Sequence, residues 1–266
     1  EMTKITLKNC LISILLTFSS FIYAKDTAIK NEIFDENLPA RISNTNAEFI
    51  YKFLLAEISA QRGELNQAGH LYLDLAKLTK SISLAERATR IAGSAKNGRL
   101  AMDSANIWQK LDKSSIEPQR ILAELFITSG NLAKARPLIK KLLVQQEKSR
   151  AEGFLYLNKI LSQVENKKNA LRFILDVSKP YLDIPEARFA IAHAAFSAGN
   201  KKMAIEELDK IESINPKWET AALFRGYIIG LEWPEKALAF YDEFLENNPK
   251  SNEVRLEYAK ALTNLK

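Results

Sequence analysis

Apolar side chains return at helical intervals along most of the chain. Ala68 is followed by Tyr72 and Leu75, Ala101 by Ala105 and Trp108, Ala135 by Ile139 and Leu142. Ala170 is followed by Ile174 and Val177, Ala204 by Leu208 and Ile211, Ala237 by Tyr241 and Phe244. Steps of four and seven residues come back to one face of an α-helix, so each set predicts an amphipathic helix with a single apolar stripe. The six alanines are separated by 33, 34, 35, 34 and 33 residues. A short turn precedes each of them: Arg62-Gly63-Glu64, Lys96-Asn97-Gly98, Ser129-Gly130-Asn131, Glu165-Asn166-Lys167, Ala198-Gly199-Asn200 and Leu231-Glu232-Trp233.

The pattern predicts pairs of antiparallel helices. In each pair a glycine or asparagine ends the first helix in the left-handed conformation, at little steric cost. The alanine marks where the second helix crosses the first too closely for a larger side chain. Prolines at Asn215-Pro216 and Asn248-Pro249 stop two of the second helices. Nine glycines and eight prolines in 266 residues are too few for an all-β chain with frequent turns.

A unit of about 34 residues made of helix, turn and helix, with alanine in the second helix and a closing proline, resembles the tetratricopeptide repeat. The resemblance implies an all-α fold, a right-handed superhelical solenoid of antiparallel helix pairs, over residues 49–266. Its units fall at about 49–82, 83–115, 116–150, 151–184, 185–217 and 218–251, and residues 252–266 supply one unpaired C-terminal helix. That helix is either a cap on the sixth unit, as stacked repeats require, or the first half of an interrupted seventh. The small residue expected in the first helix is present as Ala56, Ala123, Ala192 and Ala259, whereas Thr89, Asn158 and Arg225 stand in its place elsewhere.

The N-terminus has a different pattern. Lys4 and Lys8 precede an apolar run from Cys10 to Tyr23, and Ala24 is followed by a polar stretch. This is the order of a secretory signal peptide over residues 1–24, leaving 25–48 as an N-terminal extension. The run is shorter than the roughly 20 residues that span a bilayer, so no stable transmembrane span is expected. The expected location is periplasmic, with outer-membrane association open. Cys10 is the only cysteine; once residues 1–24 are removed, disulfides, thiolate metal sites and cysteine nucleophiles are excluded.

The net charge of +6 is spread among interspersed signs, with no run of five or six like charges. The linear sequence therefore reads as a solvated surface, without the clustered bases and stacking aromatics of a nucleic-acid binder. No G-x-S-x-G, phosphate-cradling glycine loop or H-E-x-x-H occurs, so neither an enzyme nor a bound cofactor or metal is expected.

Function is then expected on the concave face that the first helices line. The inward positions name Arg87, Arg90, Arg120, Glu124, Lys159, Phe189, His193 and Phe196 as candidate partner-binding residues. The bases could grip a partner's carboxylates or pair with Glu86, Glu124 and Glu152. Phe189, His193 and Phe196 share one helix face and could form an aromatic pocket or pack against the next repeat.

Residues Leu54–Gly63 and Ala85–Ala92 narrow the resemblance. They are similar to L-L-A-E-I-A-x-Q-R-G and A-E-R-A-x-x-I-A in exported tetratricopeptide adaptor (lipo)proteins of Gram-negative bacteria. That resemblance implies a periplasmic, non-catalytic adaptor that binds and organises a C-terminal processing protease and brings it substrates. The alternative is a generic scaffold for outer-membrane biogenesis or assembly of a secretion complex.

Overall fold

The computed structural model describes residues 47–264, so the expected signal segment and the extension as far as residue 46 lie outside the described residues. Thirteen α-helices and no strand occur among the described residues: α1 (Ala47–Gln61), α2 (Leu65–Thr79), α3 (Ile82–Ser94), α4 (Gly98–Leu111), α5 (Glu117–Thr128), α6 (Leu132–Gln145), α7 (Arg150–Leu161), α8 (Lys167–Ser178), α9 (Pro185–Ser197), α10 (Lys201–Ile214), α11 (Glu219–Gly230), α12 (Pro234–Asn247) and α13 (Asn252–Asn264). Short 3-10 turns follow α6 and α8.

From α2 to α6 and from α8 to α13 each helix packs closely on the next, whereas α7 packs chiefly on α9. Helices two apart also touch: α5 with α7, α7 with α9 and α11 with α13 in one layer, α2 with α4 and α6 with α8 in the other. The result is two layers of stacked hairpins in which apolar stripes face inward. Ala68, Ala135 and Ala204 are fully buried, and Ala101, Ala170 and Ala237 are no more than 4% exposed. Burial continues from hairpin to hairpin: one apolar cluster runs from Ala123 on α5 through Phe154, Phe173 and Ile174 to Ala194 on α9.

Four of the turns share one mechanism. Gly63, Gly130 and Gly199 have φ of 80°, 76° and 82°, and the second hairpin uses Lys96 at φ 54°. The sequence pointed to Asn97 or Gly98 for that role. The residue after each left-handed position donates its N–H back to the first helix: Glu64 to Ser59 O, Asn97 to Ala92 O, Asn131 to Phe126 O and Asn200 to Ala195 O, at 2.7–3.0 Å. That bond closes a Schellman motif. The same asparagines then cap the second helix, their side chains accepting from the N–H groups of Leu100, Lys134 and Met203. One residue thus ends one helix and starts the next, which explains why asparagine recurs four places before the buried alanine.

Two turns differ. Between α7 and α8, Asn166 caps α8 through Asn169 N–H, while Lys167 Nζ donates to the carbonyls of Ser162 and Val164 at 2.7 and 2.8 Å. This cation satisfies carbonyls left open at the end of α7. Between α11 and α12, Trp233 holds the cap position without a side-chain bond, and Pro234 begins α12.

Two of the three first-helix positions lacking a small residue have solutions of their own. Thr89 is buried and its hydroxyl donates to Ala85 O at 2.8 Å, so the polar atom stays within its own helix. Arg225 is turned to the preceding hairpin, pairing with Asp209 and Glu212 on α10 at 2.6 and 3.0 Å, with its guanidinium 4.6 Å from the Phe240 ring centre. The small residue at that crossing is Gly226: a Cβ built there would overlap the Tyr241 ring. Ala259, expected at a crossing, is exposed.

This packing gives a paired test. Gly226→Ala lowers the urea midpoint by the equivalent of about 1–3 kcal/mol through overpacking against Tyr241. In a Tyr241→Leu background the same change is neutral or stabilising, because alanine is the better helix former by about 1 kcal/mol once the ring is gone. Equal losses in both backgrounds would contradict the assignment.

Candidate partner-binding groove

α5, α6 and α7 enclose an open cavity of about 290 Å³. Its floor is apolar: Ile139, Leu142 and Leu143 come from α6, Leu157 and Ile160 from α7, and all five are buried. These residues lie on inward stripes, and they line a groove because Gly153 leaves a gap on α7. A Cβ at Gly153 would meet only Leu143 Cδ2, at 3.8 Å. Arg120 and Glu124 from α5 and Arg150, Glu152 and Tyr156 from α7 form the charged and polar rim.

The rim is held by specific contacts. Arg120 Nη2 pairs with Glu117 Oε1 at 2.7 Å, one turn back on α5, and not with Glu124. Arg150 Nε donates to Leu143 O at 2.8 Å and its guanidinium stacks 4.6 Å from the Tyr181 ring centre. Partial burial, and then the neighbouring Glu124 carboxylate, raise the Tyr156 pKa above its ordinary value. Tyr156 therefore stays protonated as a neutral polar group on the rim. The groove can hold extended chain: its apolar floor takes side chains, while its rim offers hydrogen bonds and both signs of charge.

The structure brings two of the eight sequence-derived candidates, Arg120 and Glu124, together in this groove. Arg87 lies on α3, where it pairs with Glu57 Oε2 at 2.6 Å and stacks 4.8 Å from the Tyr72 ring centre. Tyr72 donates to the same carboxylate at 2.5 Å, and burial is the main cause of its raised pKa. These three residues tie α1, α2 and α3 together. Arg90 pairs with Glu86 on the surface of α3. Lys159 is exposed on α7 and does not line the groove.

The aromatic trio on α9 packs against the next hairpin. Phe189, His193 and Phe196 surround Phe224 of α11, with ring centres 5.8, 5.4 and 5.6 Å away. Phe189 is only 7% exposed and also meets Trp218. Burial, and secondarily the Lys167 charge, lower the His193 pKa. Sequence reasoning missed Arg150, Gly153 and Tyr156. The available signal was Gly153 inside a helix, where glycine costs stability unless space is needed.

With that geometry in view, residues 185–217, which form the α9–α10 hairpin, match the family model for the tetratricopeptide repeat. The chain has the tetratricopeptide-repeat fold. Over 235 residues it is 21% identical to a TPR repeat-containing protein of Pseudomonas aeruginosa, a match that covers 88% of this chain and 39% of the relative. The chain spans about two fifths of that relative's length. Among solved tetratricopeptide-like structures, a chain of the Naa15/Naa10 complex bound to HypK-THB aligns with 77% of this chain and 32% of its own length, at 17% identity and a TM-score of 0.54. PilW, described as a widely conserved type IV pilus biogenesis factor, aligns with 79% of this chain and 98% of its own, at 17% identity and a TM-score of 0.42. Tetratricopeptide proteins generally mediate protein–protein interaction. Among the described residues no helix is long and apolar enough to cross a membrane, and no group of three or more histidine, cysteine, aspartate and glutamate residues is gathered as metal ligands.

The partly buried imidazole of His193 makes stability depend on pH. Because the folded-state pKa of His193 lies below the ordinary 6.5, the unfolded chain takes up the proton first, and stability falls as pH drops below that value. The thermal midpoint is expected to fall between pH 7.5 and pH 5.5 by more in the parent chain than in His193→Phe. Identical pH dependence in the two chains would remove His193 as the cause.

Proposed function

We propose that this tetratricopeptide chain is a non-catalytic scaffold that holds a protein segment in the α5–α7 groove. We further propose that it works in the periplasm as an adaptor for a C-terminal processing protease and its substrates. The observation that carries the scaffold reading is the groove itself, with its buried aliphatic floor, its Gly153 gap and its rim of Arg120, Glu124, Arg150, Glu152 and Tyr156. Such a surface suits an extended peptide, whose apolar side chains fill the floor while its backbone meets the rim.

The choice of partner is supported by the similarity of Leu54–Gly63 and Ala85–Ala92 to exported protease adaptors and by the signal-peptide order of residues 1–24. The small motif residues serve packing: Ala56, Ala85, Ala88 and Ala92 are fully buried, whereas Leu54 and Ile58 are exposed. They support shared ancestry, and the groove supplies the binding surface.

A pull-down from Gram-negative periplasm tests both parts. The chain should recover a serine protease of the C-terminal processing type, and Gly153→Phe, which grows a ring into the groove from a helical position, should reduce recovery at least about tenfold, the loss expected when a central contact worth about 1.4 kcal/mol is removed. Reproducible absence of the protease would overturn the adaptor reading. Undiminished recovery with Gly153→Phe would remove the groove as its binding site.

A further inference from the structure

The outward faces of α6 and α8 form a cationic surface that the groove does not use. Lys134, Arg136, Lys140 and Lys141 are all exposed on α6, which has no acidic residue. Lys168 and Arg172 are exposed on α8, whose one acidic residue is Asp176. Lys140 Nζ and Arg136 Nε reach Asp176 Oδ2 at 2.9 and 3.4 Å, which fixes the two helices side by side. Six bases therefore face solvent around a single carboxylate. The linear sequence conceals this surface, because the bases of α6 and α8 are brought together only by the repeat period.

Within the surface lies an apolar line. Ala133, Pro137 and Val144 are exposed along the middle of the outward face of α6, and Val144 is 67% exposed. At 3.6 residues per turn, Arg136 and Lys140 flank this line on one side and Lys134 and Lys141 on the other. Leu175, 38% exposed, lies on the outward face of α8. An acidic protein would answer the charges without using the apolar line between them. An anionic bilayer uses both: aliphatic side chains enter the headgroup boundary, and lysines on either side extend to the phosphates. Further along the same layer the surface changes: α10 mixes Lys202 and Lys210 with Glu206 and Asp209, and α12 opposes such a surface with Asp242 and Glu243 exposed.

We propose that the α6–α8 face docks on a bilayer of anionic phospholipid. The groove-lining residues Ile139 and Leu142 lie on the side of α6 opposite this face, so bilayer and protein partner can be held together. The docking is an addition to the scaffold reading and does not depend on which protein the groove takes.

Flotation of the full chain with vesicles tests the docking. The chain is expected to float with mixed phosphatidylglycerol and phosphatidylcholine vesicles in excess of its flotation with phosphatidylcholine alone. The quadruple change Lys134→Glu, Lys141→Glu, Lys168→Glu and Arg172→Glu should cut that excess at least about tenfold, since each base near an anionic surface contributes several-fold to partitioning. An equal charge change elsewhere, Arg62→Glu, Lys77→Glu, Lys217→Glu and Lys250→Glu, should leave it within about twofold, because those exposed positions lie on none of α4, α6, α8 and α10. Val144→Ser should weaken it with no change of charge. The apolar segment at residues 10–23 is present in every sample and cancels in these comparisons, and circular dichroism checks that each variant remains helical. Equal flotation on both vesicle types, equal losses in the two quadruple variants, or no effect of Val144→Ser would overturn the proposal. Patch-dependent binding of polyglutamate without excess phosphatidylglycerol flotation would also overturn it and assign the face to an acidic protein.

Discussion

In the hairpins α3–α4, α5–α6, α9–α10 and α11–α12, the separation of the two helices is set by side chains no larger than a methyl group. Alanine at the periodic position of each lets the second helix approach the first until the residues four and seven places further on interlock with the neighbouring hairpin. Close approach makes the turn short, and a short turn needs a residue that can adopt positive φ followed by one that can cap. Gly63, Gly130 and Gly199 meet the first need, and Asn97, Asn131 and Asn200 the second. Burial then passes from hairpin to hairpin, so each unit is stabilised chiefly by its neighbours.

The helices and their period were legible because buried alanine, left-handed glycine and aliphatic stripe all recur at one interval. Departures from the period were harder to read. Lys96 takes a conformation that its side chain gives no reason to expect, because the flanking bonds of the Schellman motif over-determine it. At the sixth crossing, alignment by period selects Arg225, whereas space for the Tyr241 ring is made by its neighbour Gly226. The groove was only partly visible: Arg120 and Glu124 follow from inward positions, but Gly153 and Tyr156 acquire their roles from α7 lying beside α5 and α6. The α6–α8 bases were invisible as a group for the same reason, since residues far apart in sequence share a surface only after stacking.

Within the stack, charge is distributed according to what it meets. Partly buried pairs join helices, Arg87 on α3 with Glu57 on α1 and Arg188 on α9 with Glu207 on α10. On the outer layer the balance changes along the array, from the bases of α6 and α8 through the mixed charges of α10 to the acids of α12. α6 has two working faces, an aliphatic one that floors the groove and a cationic one turned to solvent. In the reading proposed here, an array with such a helix at its middle presents one partner while resting on another surface.

Hydrogen exchange across the chain carrying Ala170→Leu would examine the nearest-neighbour basis of this stability. Enlarging the fourth crossing residue should remove amide protection from α7 and α8 and weaken it in the flanking α6 and α9, while α2–α4 and α12 keep the protection of the parent chain. A uniform loss from α2 through α12, or no loss anywhere, would contradict a fold built from closely crossed hairpins that support one another in sequence.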